Sequence, residues 1–271
     1  MKFSVTIFLF LLSCTICFAD WPVKRGRVQL VPTYSMYYSS NYFNSSGHIT
    51  SQANKGDHFL SHYFGLYTMY GISDRLDLLI NMPFISQNSV YSGTKSRKFG
   101  LGDVSIGLAY HIPSANLKNF FTLKAAYIFP AYQNASTPYL GYGSRAFQLG
   151  AAYSTNPNEK TFIAGEGTYT RYFDQETGPS QFAFTGTFGY YINKWEKFTA
   201  SFMHQVSLSS DNTFSSNLLI NKNFTMGKVT FGYTRRLTRT LTPSAQFYFI
   251  PYGYNTGAAI GINLSLIIKI P

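Results

Sequence analysis

From residue 260 to 270 every second residue is aliphatic: Ile260, Ile262, Leu264, Leu266, Ile268 and Ile270. Gly261, Asn263, Ser265 and Lys269 stand among the residues between them. A period of two puts the six aliphatic side chains on one face of an extended strand, whereas a helix would scatter them round its circumference. The segment is a strand with one apolar face.

The alternation recurs upstream. Val104, Ile106, Leu108, Tyr110 and Ile112 form one apolar row, Phe121, Leu123, Ala125, Tyr127 and Phe129 a second, and Phe182, Phe184, Phe188, Tyr190 and Ile192 a third. The opposite faces carry Gly, Ala, Ser, Thr and Gln with few charges. Runs of about ten residues suit a tilted membrane strand and are roughly twice the usual length in soluble proteins. After residue 19 no stretch approaches the roughly 20 apolar residues of a transmembrane helix. The expected fold is therefore all-β, a transmembrane antiparallel up-and-down barrel over residues 20–271. Strands are expected near 27–38, 58–72, 75–86, 102–112, 120–130, 144–154, 161–172, 181–192, 198–208, 225–236, 243–250 and 257–270. That is twelve; reading 217–222 as a separate strand gives thirteen and leaves the C-terminus outside, so that segment is expected as a loop or an extension, with fourteen strands as the alternative count.

Short connections at 73–75, 113–119, 156–159 and 193–196 alternate with long ones at 39–57, 87–101, 131–143 and 209–216. Outer-membrane barrels pair brief periplasmic turns with longer external loops. An N-terminus in the periplasm puts every short connection on that side. Residues 1–19 read as a secretory signal: Lys2, an apolar run from Val5 to Leu12, and Ala19 before Asp20. Leu11-Leu12-Ser13 before Cys14 is the lipoprotein alternative. Cleavage after Ala19 removes both cysteines and leaves no thiol chemistry.

The net charge of +11 raises the question of nucleic acid. Charged residues make up only 12% and aromatics 18%, with Lys95-Ser96-Arg97-Lys98 the densest basic cluster, so no nucleic-acid partner is expected. Charges facing lipid at mid-membrane cost about 2–4 kcal/mol. Arg27, Arg75, Asp77, Asp103, Lys124, Glu166, Lys228, Arg236 and Lys269 fall on polar faces and are the candidate lumen lining. They either pair across the interior or give a pathway a cationic bias. Tyr34, Tyr37, Tyr38, Tyr42, Tyr132, Tyr139, Tyr142, Tyr172, Tyr248, Tyr252 and Tyr254 cluster at strand ends and are expected in aromatic belts. His58 and His62, about 13 Å apart along one strand face, make a poor metal pair and are expected at the lumen or rim. His204 sits on an apolar face with no orienting acid in the sequence, so no catalytic residue, metal or cofactor is expected.

Gly71-Ile72-Ser73-Asp74-Arg75-Leu76-Asp77-Leu78 through Met82-Pro83-Phe84, Gly100-Leu101-Gly102-Asp103-Val104 and Gly107-Leu108-Ala109-Tyr110 resemble the outer-membrane family of the meta-pathway of phenol degradation. Asn255-Thr256-Gly257-Ala258 is similar to that family's C-terminal hairpin. The resemblance implies a barrel that moves small, including hydrophobic, compounds, and supplies no catalytic residues. One departure is the ending Lys269-Ile270-Pro271, where such barrels finish on an aromatic residue read by the barrel-assembly machinery. The expected function is an outer-membrane channel with lipid and a small-molecule solute as partners. The alternatives are a lipid-modifying outer-membrane enzyme and a non-conducting structural or adhesive barrel.

Overall fold

The computed structural model describes residues 21–51, 56–132, 138–174, 176–213 and 221–271. Those residues contain fourteen strands and no helix. The first seven are β1 (Val28–Phe43), β2 (Ile49–Ser51), β3 (His58–Gly71), β4 (Leu76–Tyr91), β5 (Thr94–Leu101), β6 (Asp103–Pro113) and β7 (Asn119–Pro130). The rest are β8 (Ala146–Asn158), β9 (Thr161–Tyr172), β10 (Ser180–Tyr191), β11 (Glu196–Leu208), β12 (Phe224–Arg235), β13 (Leu241–Tyr254) and β14 (Thr256–Ile270). The signal segment, with Cys14 and Cys17, lies outside the described residues, as does most of 217–222.

Twelve of these strands form one antiparallel wall in the order β10-β11-β12-β13-β14-β1-β3-β4-β6-β7-β8-β9, with β2 on β1 and β5 on β4. The circle closes where β9 lies along β10. Tyr172 N donates to Pro179 O (3.1 Å) at one end of that seam and Tyr191 N to Lys160 O (2.7 Å) at the other. No edge of the twelve-stranded wall is left open, which is what lipid requires of a sheet. The first barrel strand pairs with the last in register Met36↔Ile262 and Val28↔Ile270.

The wall is inverted relative to a soluble protein. On β6, Ile106, Leu108, Tyr110 and Ile112 are exposed while Ala109 and His111 are buried; on β7, Phe121, Leu123 and Phe129 are exposed over a buried Thr122. Ile260 and Leu264 likewise face out. Asp77, Gln87, Ser154 and Glu166 are buried. Apolar outside and polar inside is the arrangement of a wall solvated by hydrocarbon.

Two of the long connections are shorter than the sequence suggests. β1 continues to Phe43, and 87–101 is mostly strand: β4 runs to Tyr91 and turns back as β5, pairing Val90↔Lys95 through Phe84↔Leu101. Ser92 and Gly93, both at positive φ (50° and 75°), make the two-residue turn. β13 also runs past residue 250, where the pairing with β12 slips between Gly227↔Tyr252 and Val229↔Phe249. Pro251 falls in that bulge, where its missing N–H costs no ladder bond.

Candidate functional site

The barrel encloses a cavity of about 1200 Å³. At the short-turn end its lining includes Trp21, Lys24, Lys194, Trp195, Arg239 and Pro271, and it rises past Val31, Tyr67 and Leu79 to Tyr63, Asp103 and Tyr172. Of the nine candidate residues, Arg27, Asp103, Lys124, Arg236 and Lys269 line it. Asp77 and Glu166 sit on the same inward faces, buried. Lys228 lies nearer the long-loop end, its Nζ 5.2 Å from the centre of the Tyr248 ring. Arg75 does not join them: it is exposed in the turn before β4, ahead of the first inward position at Asp77.

Several of the inward charges are paired. Lys124 Nζ donates to Glu166 Oε1 at 3.0 Å. His111 stands between Asp77 and Thr122, with Nε2 3.0 Å from Asp77 Oδ2 and Nδ1 3.0 Å from Thr122 Oγ1. The carboxylate is acceptor-only, so Nε2 carries the proton. Asp77 Oδ2 also accepts from Val23 N at 3.0 Å, tying the segment before β1 into the mouth. An acid, a histidine and a hydroxyl in this order resemble a nucleophile relay. Here Thr122 is fully buried, and the contacts join β4, β6 and β7 from inside.

The other histidines face away from the cavity. Phe59, Ser61 and Tyr63 take the inward positions of β3, which turns His58 and His62 outward; of the two placements expected for this pair, lumen or rim, the lumen is not the one they take. His62 Nδ1 meets Tyr34 OH at 2.9 Å and His58 Nδ1 meets Gly56 O at 2.9 Å. His204 Nδ1 meets Tyr252 OH at 2.8 Å on the outer face, and no acid pairs with it among the described residues. No group of three or more His, Cys, Asp or Glu among the described residues is placed to hold a metal ion.

Toward the long-loop end the interior is packed. Tyr37, Phe43, Phe59, Tyr248, Ile250 and Ala259 form one buried cluster, and none of them lines the cavity. Tyr37, Tyr142, Tyr172 and Tyr248 are thus interior fillers, not members of a lipid belt; Tyr248 OH is satisfied by Met36 O at 3.0 Å. In the connection after β7, Tyr132 and the described residues 138–143 also fold in. Tyr132 OH donates to Asp103 Oδ1 (2.9 Å) and accepts from Gly143 N (2.9 Å). A Cβ on Gly141 would come within 2.4 Å of both Asp103 Oδ2 and Tyr132 OH, so a side chain there would push those two groups aside.

Tyr142 carries the chain of bonds across the mouth. Its hydroxyl donates to Asn221 O (2.9 Å) and accepts from Gln181 Nε2 (2.9 Å), while Asn221 Nδ2 donates to Asn255 O (2.9 Å) in the β13–β14 turn. Sequence reasoning missed this bridge, since nothing in the pattern of 131–143 marks a loop that folds inward. Beside it, Asp211 pairs with Lys222 at 3.1 Å. The Asp211 carboxyl is pushed down to about 2, chiefly by hydrogen bonds from Thr213 and then by Lys222.

No protein-family model and no curated protein matches the chain. Solved structures do. A COG4313 outer membrane channel from Pseudomonas putida F1 superposes with a TM-score of 0.79 at 14% identity, covering 94% of this chain and 100% of that one. The NanC porin follows at 0.55, with 10% identity and 89% and 98% covered. The translocator domain of the autotransporter NalP from Neisseria meningitidis gives 0.51, with 6% identity and 90% and 88% covered. The fold is that of an outer-membrane β-barrel. At these identities the likeness carries the architecture alone, and the meta-pathway resemblance finds no matching family model.

Proposed function

We propose that the chain is an outer-membrane channel for small solutes, with its short turns in the periplasm and its long loops outside. The observation that carries this reading is the cavity of about 1200 Å³, lined by polar and charged residues within a wall that is greasy outside. Its size suits molecules of drug scale or below. The mouth gathers Lys24, Arg27, Lys194, Arg236, Arg239 and Lys269 against Glu196, while Val31, Met69, Leu79 and Ile128 supply apolar wall deeper in. That lining favours an amphipathic solute with an apolar body and an anionic group. Passage outward requires the Tyr142 bridge and the aromatic packing above the cavity to give way. The names of the structural neighbours, an outer membrane channel and a porin, agree with this use of the fold.

The test is conductance and liposome swelling with purified protein. Solute-dependent swelling, with a reversal potential favouring anions, supports the reading; bilayers that stay sealed at every voltage and with loop residues 138–143 deleted overturn it. The second reading is a non-conducting barrel whose loops bind a partner, and the packed outer half of the interior favours it. Loop deletion that abolishes surface binding while permeability stays at zero would select that reading.

A further inference from the structure

The β4–β5 hairpin rises beyond the point where β4 and β6 pair. β6 is matched to β4 only as far as Asn81↔Ser105, and above that β5 takes over, pairing with β4 alone. Asp57 Oδ2 accepts from Ser92 N at 2.9 Å, which holds the hairpin tip against the start of β3. The hairpin is a fixed extension of the wall.

Its two faces differ sharply. Leu79 and Asn81 of β4 line the cavity, so by alternation along the unbroken strand Gln87 and Ser89 point inward while Phe84, Ser86, Asn88 and Val90 point outward, and the cross-strand partners Leu101, Phe99, Arg97 and Lys95 point outward with them. Phe84 and Phe99 stack, with ring centroids 6.4 Å apart and planes 25° apart, and Phe99 is 65% exposed. On the same face Arg97 stands about 7 Å above Phe99 and Lys95 about 13 Å above it. Neither cation has an acidic partner among the described residues. From the membrane upward this face therefore reads aromatic pair, then guanidinium, then ammonium. β3 continues it sideways with Phe64 beside Phe84 and His58 beside Val90.

A charged edge strand ordinarily serves to discourage pairing with another sheet. That role needs charge anywhere along the edge. It does not require the two cations to share the lipid-side face, nor an exposed aromatic pair directly beneath them.

We propose that Arg97 and Lys95, above Phe84 and Phe99, form a site for the phosphate groups of an acylated glycolipid in the outer leaflet, of the lipid A type. The acyl chains lie along Phe84 and Phe99 at the depth where aromatic belts meet headgroups. The fork of Arg97 takes two oxygens of one phosphate, and Lys95 meets a charge further out. This inference rests on the outer-membrane reading and not on whether the barrel conducts.

The experiment is native mass spectrometry of the purified chain in detergent, with bisphosphorylated lipid A as the probe. Dephosphorylated lipid A and phosphatidylglycerol serve as competitors. The wild type should retain lipid A, and K95A/R97A should weaken retention about tenfold, the effect of losing one or two charge-assisted bonds. K118A, in a turn at the opposite end, should leave retention unchanged. Heat-modifiable gel mobility reports that each variant is folded, and R97K should recover part of the loss. Equal retention of dephosphorylated lipid A, equal displacement by phosphatidylglycerol, or full retention by folded K95A/R97A overturns the proposal. Permeability measured on the same protein in vesicles without lipid A reads the channel function separately: a sealed vesicle with intact lipid A binding defeats only the channel, and the converse defeats only this site.

Discussion

Lys124 and Glu166 form an ion pair at 3.0 Å although an entire strand, β8, runs between theirs. Lys124 is opposite Gly150 and Glu166 is opposite Ala152, so two small residues leave a trough over which the lysine reaches. A Cβ at Gly150 would meet Thr168 Cγ2 at 3.2 Å and Lys124 Cβ at 3.5 Å. The pair fastens three consecutive strands from inside.

Breaking that pair on one side should destabilise the barrel. E166Q leaves the lysine facing a neutral amide and is expected to lower stability by about 2 kcal/mol. K124M/E166Q should cost less than the two single changes combined, because neither charge is then stranded. Urea unfolding in bilayers, followed by gel mobility, measures both.

Y142F removes a hydroxyl that joins three segments of the outer mouth. Swelling rates with small solutes should rise several-fold, while barrel stability changes by about 1 kcal/mol or less, since the ring keeps its packing on Tyr172. G141A should raise permeability too, because the added methyl displaces the same loop. Unchanged swelling in both variants would place the barrier elsewhere.

Acid should loosen the loop held by Asp211. Its carboxyl titrates near 2, below the ordinary carboxylate range around 4, so the tie to Thr213 and Lys222 is complete above about pH 4 and is lost as the pH falls through 2. The Asp211 carboxyl signal in NMR should titrate near 2. T213A should move it up by removing the hydroxyl bond that is the largest cause, while the bond from the backbone N–H of residue 213 persists, and K222M should move it up by removing the ammonium.

The mouth should set ion preference through its cations. R236E/K269E places two carboxylates where two cations line the cavity, and the anion-to-cation permeability ratio should fall by a factor of about three or more at low salt. Reversal potentials in a salt gradient read the change, and raising ionic strength should shrink it.

Much of the wall could be read directly from the chain. Ile260 to Ile270 alternates without a break, and β9 and β14 lie within a residue of where periodicity puts them. Periodicity failed where both strand faces are polar. Gln87-Asn88-Ser89 and Ser96-Arg97-Lys98 pair as a hairpin above the lipid, where neither face needs an apolar row. The Ser92-Gly93 turn between them was the available signal. Pro251 concealed the last turn of β13, because a bulge that tolerates proline is a property of the paired strand and not of the sequence around it. In the interior, alternation put Asp77 on an inward face but could not match it to His111, since register between residues 34 apart depends on the closed sheet. The inward turn of Tyr37 and Tyr248 was hidden for a related reason: tyrosine suits a lipid headgroup and a tapering interior equally well.

In the proposed orientation, the void beneath the Tyr37–Phe59 cluster makes the molecule a cup, with its lip toward the cell and its base toward the medium. Reagents delivered from the two compartments therefore meet different proteins. A bulky thiol label offered on the periplasmic side would find a cysteine placed at Thr33 or Gln148 without anything having to move, whereas the same label in the external medium would have to wait for the base to come apart. Sidedness of labelling, measured on whole cells and on everted outer-membrane vesicles, turns that shape into a clock for how often the base opens.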